Sequence, residues 1–136
     1  MSTSNTRLRL HGKTALVINA TCAAGASAAE SLALAGARVM LNYPDRRDAA
    51  ERLAERIRNR GGQAMAFRAD IAVPGELRSL CDVLLAYWGS RDLFVGAGSH
   101  AVALSAALGP TDPPPLALSY EAVAPFLAAA GGASQT

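Results

Sequence analysis

Few side chains in this 136-residue sequence could move a proton or act as a nucleophile near neutral pH. His100 follows a Gly-Ala-Gly turn and is a candidate general base, but no acidic residue close by in the sequence would orient its ring, so a simple loop histidine is the alternative. Cys22 and Cys81 are too far apart for metal-ligand spacing, and Cys81 falls on an apolar helix face. The only lysine, Lys13, directly precedes the first hydrophobic run. We therefore predict no metal site and no catalytic residue.

The elements that must position these residues alternate between strands and helices. Short apolar runs predict four strands, at residues 13–18, 38–42, 63–68 and 92–95. Helical spacing of apolar residues predicts helices between them, at 26–35, 45–60 and 74–88. In the second helix Asp45 is the predicted N-cap, and the predicted inward residues are Ala49, Leu53, Ala54 and Ile57.

This alternation predicts an α/β fold for residues 1–98. Right-handed crossovers between parallel strands give an open half-Rossmann sheet in the order 3-2-1-4, with flanking helices. Residues 99–136 are predicted to form an irregular segment rich in Pro and Ala. It would contain a short helix at 99–108, a proline-rich loop at 109–115, a helix from about 119 to 130 weakened by Pro125, and a frayed end.

Composition narrows the setting in which the protein works. A net charge of +2 is too small to argue for nucleic acid, and no 18-residue apolar run predicts a membrane span. The N-terminus has no apolar segment typical of a secretory signal, and the two cysteines fit a reducing environment, so we expect a cytoplasmic location. Abundant Ala, with Arg in place of Lys, is typical of a high-GC bacterial genome.

Residues 10–98 resemble the opening of the short-chain dehydrogenase/reductase family. The frame Leu10-x-Gly12-Lys13-x-Ala15-Leu16-Val17 precedes a turn, and Leu34-Ala35-Gly36-Ala37-x-Val39 follows the first helix. Gly61-Gly62 before the third strand, Asp70 after it and the strand 92–95 also match. In the family the first strand ends in Thr-Gly-x-x-x-Gly-x-Gly, where residues 18–25 here read Ile-Asn-Ala-Thr-Cys-Ala-Ala-Gly.

The departures from that glycine motif bear on nucleotide binding. Asn19 stands at the first glycine, and Asn tolerates a left-handed backbone, so the turn can survive. Ala23 stands at the second glycine, where its methyl group would crowd a phosphate, while Gly25 keeps close helix–strand packing possible. The alternative to a weakened dinucleotide site is a turn that packs without any ligand.

The resemblance implies a set of cofactor-binding positions. NADP is favoured over NAD, because no acid ends the second strand and Arg46 and Arg47 follow it; the alternative is that both arginines lie in solvent. Asp70 matches the family position that contacts the adenine amino group, although it could equally be a turn residue. The predicted set is Asn19, Thr21, Cys22, Ala24, Gly25, Asn42, Arg46, Asp70, Ile71 and Ala97.

The family's proton-transfer residues are not matched. They are a Tyr-x-x-x-Lys pair with an upstream Ser in the second half of the fold. Here Tyr120 is followed by Ala124, while Tyr43 and Tyr87 are each followed at that spacing by an arginine, which is permanently charged and a poor proton relay. Lys13 is predicted at the edge of the sheet opposite to the ligand crevice.

Three functions remain open from the sequence. The first is a pseudoenzyme that serves as an auxiliary subunit, either as a homo-oligomer or as a heterodimer with a full-length dehydrogenase, because the fourth strand would otherwise have an unpaired apolar edge. The second is an NADP-dependent reductase completed by a partner chain. The third is a truncated gene product.

Overall fold

The computed structural model describes residues 10–89, 92–97 and 116–135. Its strands are β1 (Thr14–Val17), β2 (Arg38–Tyr43), β3 (Gln63–Arg68), β4 (Leu93–Gly96) and β5 (Leu116–Ser119). Its helices are α1 (Ala23–Leu34), α2 (Arg47–Asn59), α3 (Pro74–Trp88) and α4 (Tyr120–Gln135). The strands form one sheet in the order β3-β2-β1-β4-β5, and every neighbouring pair is parallel. The predicted half-Rossmann order of the first four strands is confirmed.

Alternating side chains along the strands build a separate core on each face of the sheet. On one face, Val17, Val39 and Val95 pack with buried residues of α1 and α2 and with Val123 of α4. On the other face, Leu16, Met40 and Phe94 pack with the apolar stripe of α3. That stripe includes Cys81, which is fully buried, as predicted. Because all five strands are parallel, their carboxyl ends meet at one edge of the sheet, and this is the edge at which parallel sheets bind ligands.

The start of α2 differs from the prediction. The helix begins at Arg47, and its N-cap is Arg46, with a left-handed φ of 63°, so Asp45 is not the cap. Pro44 directly after β2 restricts the preceding backbone, and the chain makes its turn into the helix one residue later than expected. The buried residues are Ala50, Leu53, Ala54 and Ile57, so Ala50 replaces the predicted Ala49 at the helical spacing.

The C-terminal part contains a strand that the sequence did not predict. β5 pairs with β4, with Leu93 opposite Leu116 and Gly96 opposite Ser119. The C-terminal part of the chain therefore covers the outer edge of β4, so this edge needs no partner chain to cover it. α4 starts directly after β5 and extends to Gln135, beyond the predicted end near residue 130, with Pro125 inside it. The predicted helix at 99–108 and loop at 109–115 lie outside the described residues.

The turn between β1 and α1 is held by the buried side chain of Asn42. The Asn19 amide donates to Asn42 Oδ1 at 3.0 Å, and Asn42 Nδ2 donates to the Ala69 carbonyl at 3.0 Å. The Ala20 amide donates to the Asn42 carbonyl at 2.8 Å. Asn19 has a φ of 53°, which confirms the expected left-handed residue. One amide group thus joins the carboxyl ends of three neighbouring strands.

Gly25 allows α1 to approach this turn closely. A Cβ atom at Gly25 would lie 2.6 Å from the Asn19 carbonyl oxygen and 3.0 Å from the Ala20 Cα. Both contacts are with backbone, which cannot rotate away as a side chain could. The predicted reason for retaining this glycine, close helix–strand packing, is confirmed by the geometry.

The role of Asn42 can be tested by replacement with leucine. Asn42→Leu keeps a similar volume but leaves the Asn19 amide and the Ala69 carbonyl without their partner, so we expect the free energy of unfolding to fall by about 3 kcal/mol. Urea unfolding followed by circular dichroism measures this change. The control is Asn59→Leu at the exposed end of α2, for which we expect a change within about 0.5 kcal/mol. Equal losses of unfolding free energy in the two variants would contradict the structural role of Asn42.

Candidate functional site

The order of the sheet reverses at β1. β1 has β2 on one side and β4 on the other, and open parallel sheets bind ligands outside the carboxyl ends of such strands. The Ile18 amide donates to the Val95 carbonyl at 2.8 Å, which brings the turn at residues 18–25 against the end of β4. Ala97 follows β4 directly. We call the space between this turn and Ala97 the switch-point crevice.

The N-terminus of α1 points into the switch-point crevice. Cys22 is its N-cap, and the thiol sulfur accepts a hydrogen bond from the Gly25 amide at 3.2 Å. The amides of Ala23 and Ala24 have no acceptor among the described residues. Free amides at a helix N-terminus favour an anion such as a phosphate. Five predicted positions, Asn19, Thr21, Cys22, Ala24 and Gly25, thus share this turn.

Three further predicted residues have structural partners within the protein. Both polar atoms of the Asn42 side chain are occupied by the turn contacts already described. Asp70 Oδ1 accepts from the Ala72 amide at 3.0 Å, and the Asp70 amide donates to Glu76 Oε1 at 2.9 Å, which favours its alternative role as a turn residue. Ile71 packs against the core beneath α3. Their contacts with a cofactor stay predictions.

Arginines line a shallow cleft just after β2. The cleft has a volume of about 280 Å³ and is lined by Arg46, Arg47, Asp48, Ala49 and Arg52. Arg46 and Arg47 are exposed, so they are available to solvent or to a ligand. Because the cleft lies at the end of β2 that faces the ligand edge of the sheet, it is suited to a phosphate group.

Tyr120 enters the switch-point crevice, a position that was not predicted from the sequence. Its hydroxyl donates to the Ile18 carbonyl, at the carboxyl end of β1. The Cys22 thiol is close enough to the same hydroxyl to affect its pKa. Burial raises the pKa of Tyr120 above its ordinary value, and the nearby Cys22 and Glu121 raise it further. The phenol therefore stays protonated at neutral pH.

The position of Tyr120 could not be predicted from the sequence because it depends on a long-range pairing. Within the sequence, Ala124 four residues later shows only that Tyr120 does not match the family's Tyr-x-x-x-Lys pair. Its place is set by β5, whose last residue Ser119 pairs with Gly96 and so delivers the next residue to the carboxyl edge of the sheet.

The remaining ionisable candidates lie away from the crevice. Lys13 precedes β1 at the opposite edge, where its carbonyl accepts from the Arg38 amide at 2.9 Å, as predicted. Tyr43 is buried in β2, whereas Tyr87 on α3 is 64% exposed. His100 and Arg91 lie outside the described residues. The Arg38 guanidinium lies over the Trp88 ring, 6.0 Å from its centre, at the start of β2 and so at the edge opposite to the crevice.

The larger cavity is also at that opposite edge. It measures about 340 Å³ and lies between the C-terminal ends of α1 and α2, with the Glu30–Arg56 ion pair in its wall. None of the predicted site residues lines this cavity, so the volume of a cavity does not by itself identify the functional site here.

The described part of the chain contains neither a cluster of metal ligands nor a helix that could span a membrane. No group of three His, Cys, Asp or Glu residues there could hold a metal ion. None of the described helices is long and apolar enough to cross a membrane.

Comparison with known proteins identifies the family. The model of the short chain dehydrogenase family matches residues 13–111. A short chain dehydrogenase/reductase of Cryptosporiopsis sp. is 38% identical over 93 residues, which are 68% of this chain and 35% of that protein. Versicolorin reductase of Emericella nidulans is 36% identical over 90 residues, 66% of this chain and 34% of its own length.

A solved structure supports the same conclusion. The crystal structure of hydroxysteroid dehydrogenase from Escherichia coli superimposes with a TM-score of 0.72 at 28% identity, covering 92% of this chain and 64% of that one. This chain spans about a third of the length of the two relatives above. Proteins of this family bind nicotinamide adenine dinucleotides. The chain belongs to the short-chain dehydrogenase family.

Proposed function

We propose that this chain does not catalyse hydride transfer by itself and that it acts as an auxiliary, partner-binding member of the family. The observation that carries the proposal is the state of Tyr120. It is the one tyrosine that the described structure brings to the switch-point crevice, and its hydroxyl proton is donated to a backbone carbonyl. A proton donor for a substrate would need to release that proton and regain it.

No lysine is available to lower the pKa of this tyrosine. The single lysine, Lys13, lies at the opposite edge of the sheet, and burial moves the pKa of Tyr120 upward rather than downward. A neutral phenol of high pKa is a poor acid at neutral pH, because general acids work best with a pKa near the working pH. The position of Lys13 and the raised pKa of Tyr120 support the proposal that this chain has no proton relay of its own.

Partner binding is supported by the edge strand β5. Within the described ranges, no strand pairs with the outer side of β5, and Leu116 on it is 45% exposed. An apolar edge strand is a template for pairing with another chain. A second copy of this chain or a full-length dehydrogenase could supply that strand. Cys22 and Cys81 do not form a disulfide with each other, which fits a reducing compartment such as the cytoplasm.

NADP-dependent reduction completed by a partner chain is the second candidate. The arginine-lined cleft after β2 favours it, because guanidinium groups bind phosphate well. The switch-point crevice itself does not fit a dinucleotide as it stands, because the Tyr120 side chain occupies it. We therefore assign no step of a reaction to the cofactor.

The purified chain should lack reductase activity. Incubated with NADPH and a panel of ketones and quinones, it should oxidise NADPH no faster than the protein-free background, because Tyr120, the one tyrosine that the described residues place at the crevice, donates its proton to the backbone and has a raised pKa. A full-length reductase of the same family serves as the positive control. Sustained turnover by the purified chain would overturn the proposal.

The same chain should associate through β5. Light scattering after size exclusion should give the mass of at least two chains, and Leu116→Lys should reduce it to one, because a charge on an edge strand opposes pairing. Leu34→Lys is the matched control, since Leu34 is 51% exposed but lies on α1. A stable monomer of the unmodified protein would contradict self-association.

Arg46 should set the preference for NADP if a nucleotide binds. Arg46→Asn removes the charge but keeps a residue that tolerates the left-handed φ of 63°, so stability should be retained. Calorimetric titration should show weaker NADP binding and unchanged NAD binding. Arg78→Asn on α3 is the control. An equal loss for both nucleotides would exclude a contact with the additional phosphate.

A further inference from the structure

We propose that Tyr120 is a gate, and that the switch-point crevice admits a dinucleotide only when the Tyr120 side chain swings out of it. This inference rests on the second candidate function, in which a dinucleotide binds at this edge of the sheet. The gate is part of the chain itself, so it controls the site from within. The mechanism needs three features: a side chain that blocks the crevice, a charge that opposes the ligand, and space into which that side chain can move.

The block follows from the path of the Tyr120 side chain. β5 and β1 are separated by β4, yet the Tyr120 hydroxyl reaches the Ile18 carbonyl of β1. The ring must therefore cross the carboxyl end of β4, over the point where the sheet order reverses. At its tip lies Cys22, the N-cap that precedes the amides of Ala23 and Ala24. A phosphate could reach those amides only by displacing the ring.

The negative charge of Glu121 also opposes the entry of a dinucleotide. Glu121 follows Tyr120 on α4 and is exposed, and its carboxylate is close enough to raise the pKa of Tyr120. A negative charge beside the N-terminus of α1 offsets the attraction that this terminus has for an anion. The closed gate thus excludes a dinucleotide both by volume and by repulsion.

Space for the Tyr120 side chain to move lies between α4 and α1. A cavity of about 230 Å³ remains between these helices, and Tyr120 lines it together with small residues that include Ala24, Ser27 and Ala124. Pro125 has no amide hydrogen and cannot donate to the Glu121 carbonyl, so the first turn of α4 has one backbone hydrogen bond fewer than an uninterrupted helix.

Val123, Phe126 and Leu127 hold the helix to the core. Val123 is almost fully buried, and Phe126 and Leu127 pack against the same cluster. Opening therefore requires loss of the hydrogen bond from Tyr120 to the Ile18 carbonyl and rotation of the Tyr120 side chain, while Val123 and the residues beyond Pro125 keep their packing. Because only the open fraction binds, the apparent affinity for a nucleotide is lowered by that fraction.

Two variants and one control test the gate through nucleotide affinity. By calorimetry, Tyr120→Ala should bind NADP at least about tenfold more tightly than the unmodified protein, since the block is removed. Tyr120→Phe keeps the ring and the fold but loses the hydroxyl, so its affinity should lie between the two. Tyr87→Ala, at an exposed position on α3, should bind as the unmodified protein does. Equal affinity in all four proteins, or binding by none, would overturn the inference.

Thiol labelling tests the closure without any nucleotide. Cys22 is partly exposed beneath Tyr120, whereas Cys81 is buried and should stay silent in the folded protein. Reaction of Cys22 with an aromatic disulfide reagent should be about fivefold faster or more in Tyr120→Ala than in Tyr87→Ala, because the cover is gone. An unchanged rate would overturn the gate whatever the activity assay shows. Turnover by the purified protein, in contrast, would overturn the proposed function and leave the gate standing.

Discussion

The side-chain amide of Asn42 is the contact on which the rest of the structure depends. It is a buried polar group that bonds the turn after β1 and the segment after β3 from its place on β2. Buried polar groups are stable only when both partners are present, so this contact fixes the left-handed Asn19 and the entry into α1 together. That turn sets the positions of the N-terminus of α1, of Cys22 and of the Ile18 carbonyl to which Tyr120 donates.

The described residues keep the family's scaffold, while our proposal assigns this chain no hydride transfer of its own. Gly25 keeps the close approach of helix and turn, and the amides of Ala23 and Ala24 still face the crevice. The tyrosine that reaches the same place is bonded to the backbone and has a raised pKa. Fold and function are thus decided by different residues, and family membership alone does not establish catalysis.

Local patterns predicted those parts of the fold that local forces decide. The apolar strands, the left-handed Asn19 and the retained Gly25 follow from residue type and near neighbours. β5 could not be predicted because Leu116–Ser119 has only four residues and is stabilised by pairing with β4, far away in the chain. Asn42 was predicted as a cofactor contact; an amide at the end of an otherwise apolar strand could have indicated a buried structural bond instead.

The most direct measurement is a high-resolution crystal structure of the unmodified protein grown with millimolar NADP. We predict one of two related states: Tyr120 bonded to the Ile18 carbonyl in an empty crevice, or NADP in the crevice with the Tyr120 side chain displaced. A dinucleotide bound on the amides of Ala23 and Ala24, with the Tyr120 hydroxyl still on Ile18, would contradict the account.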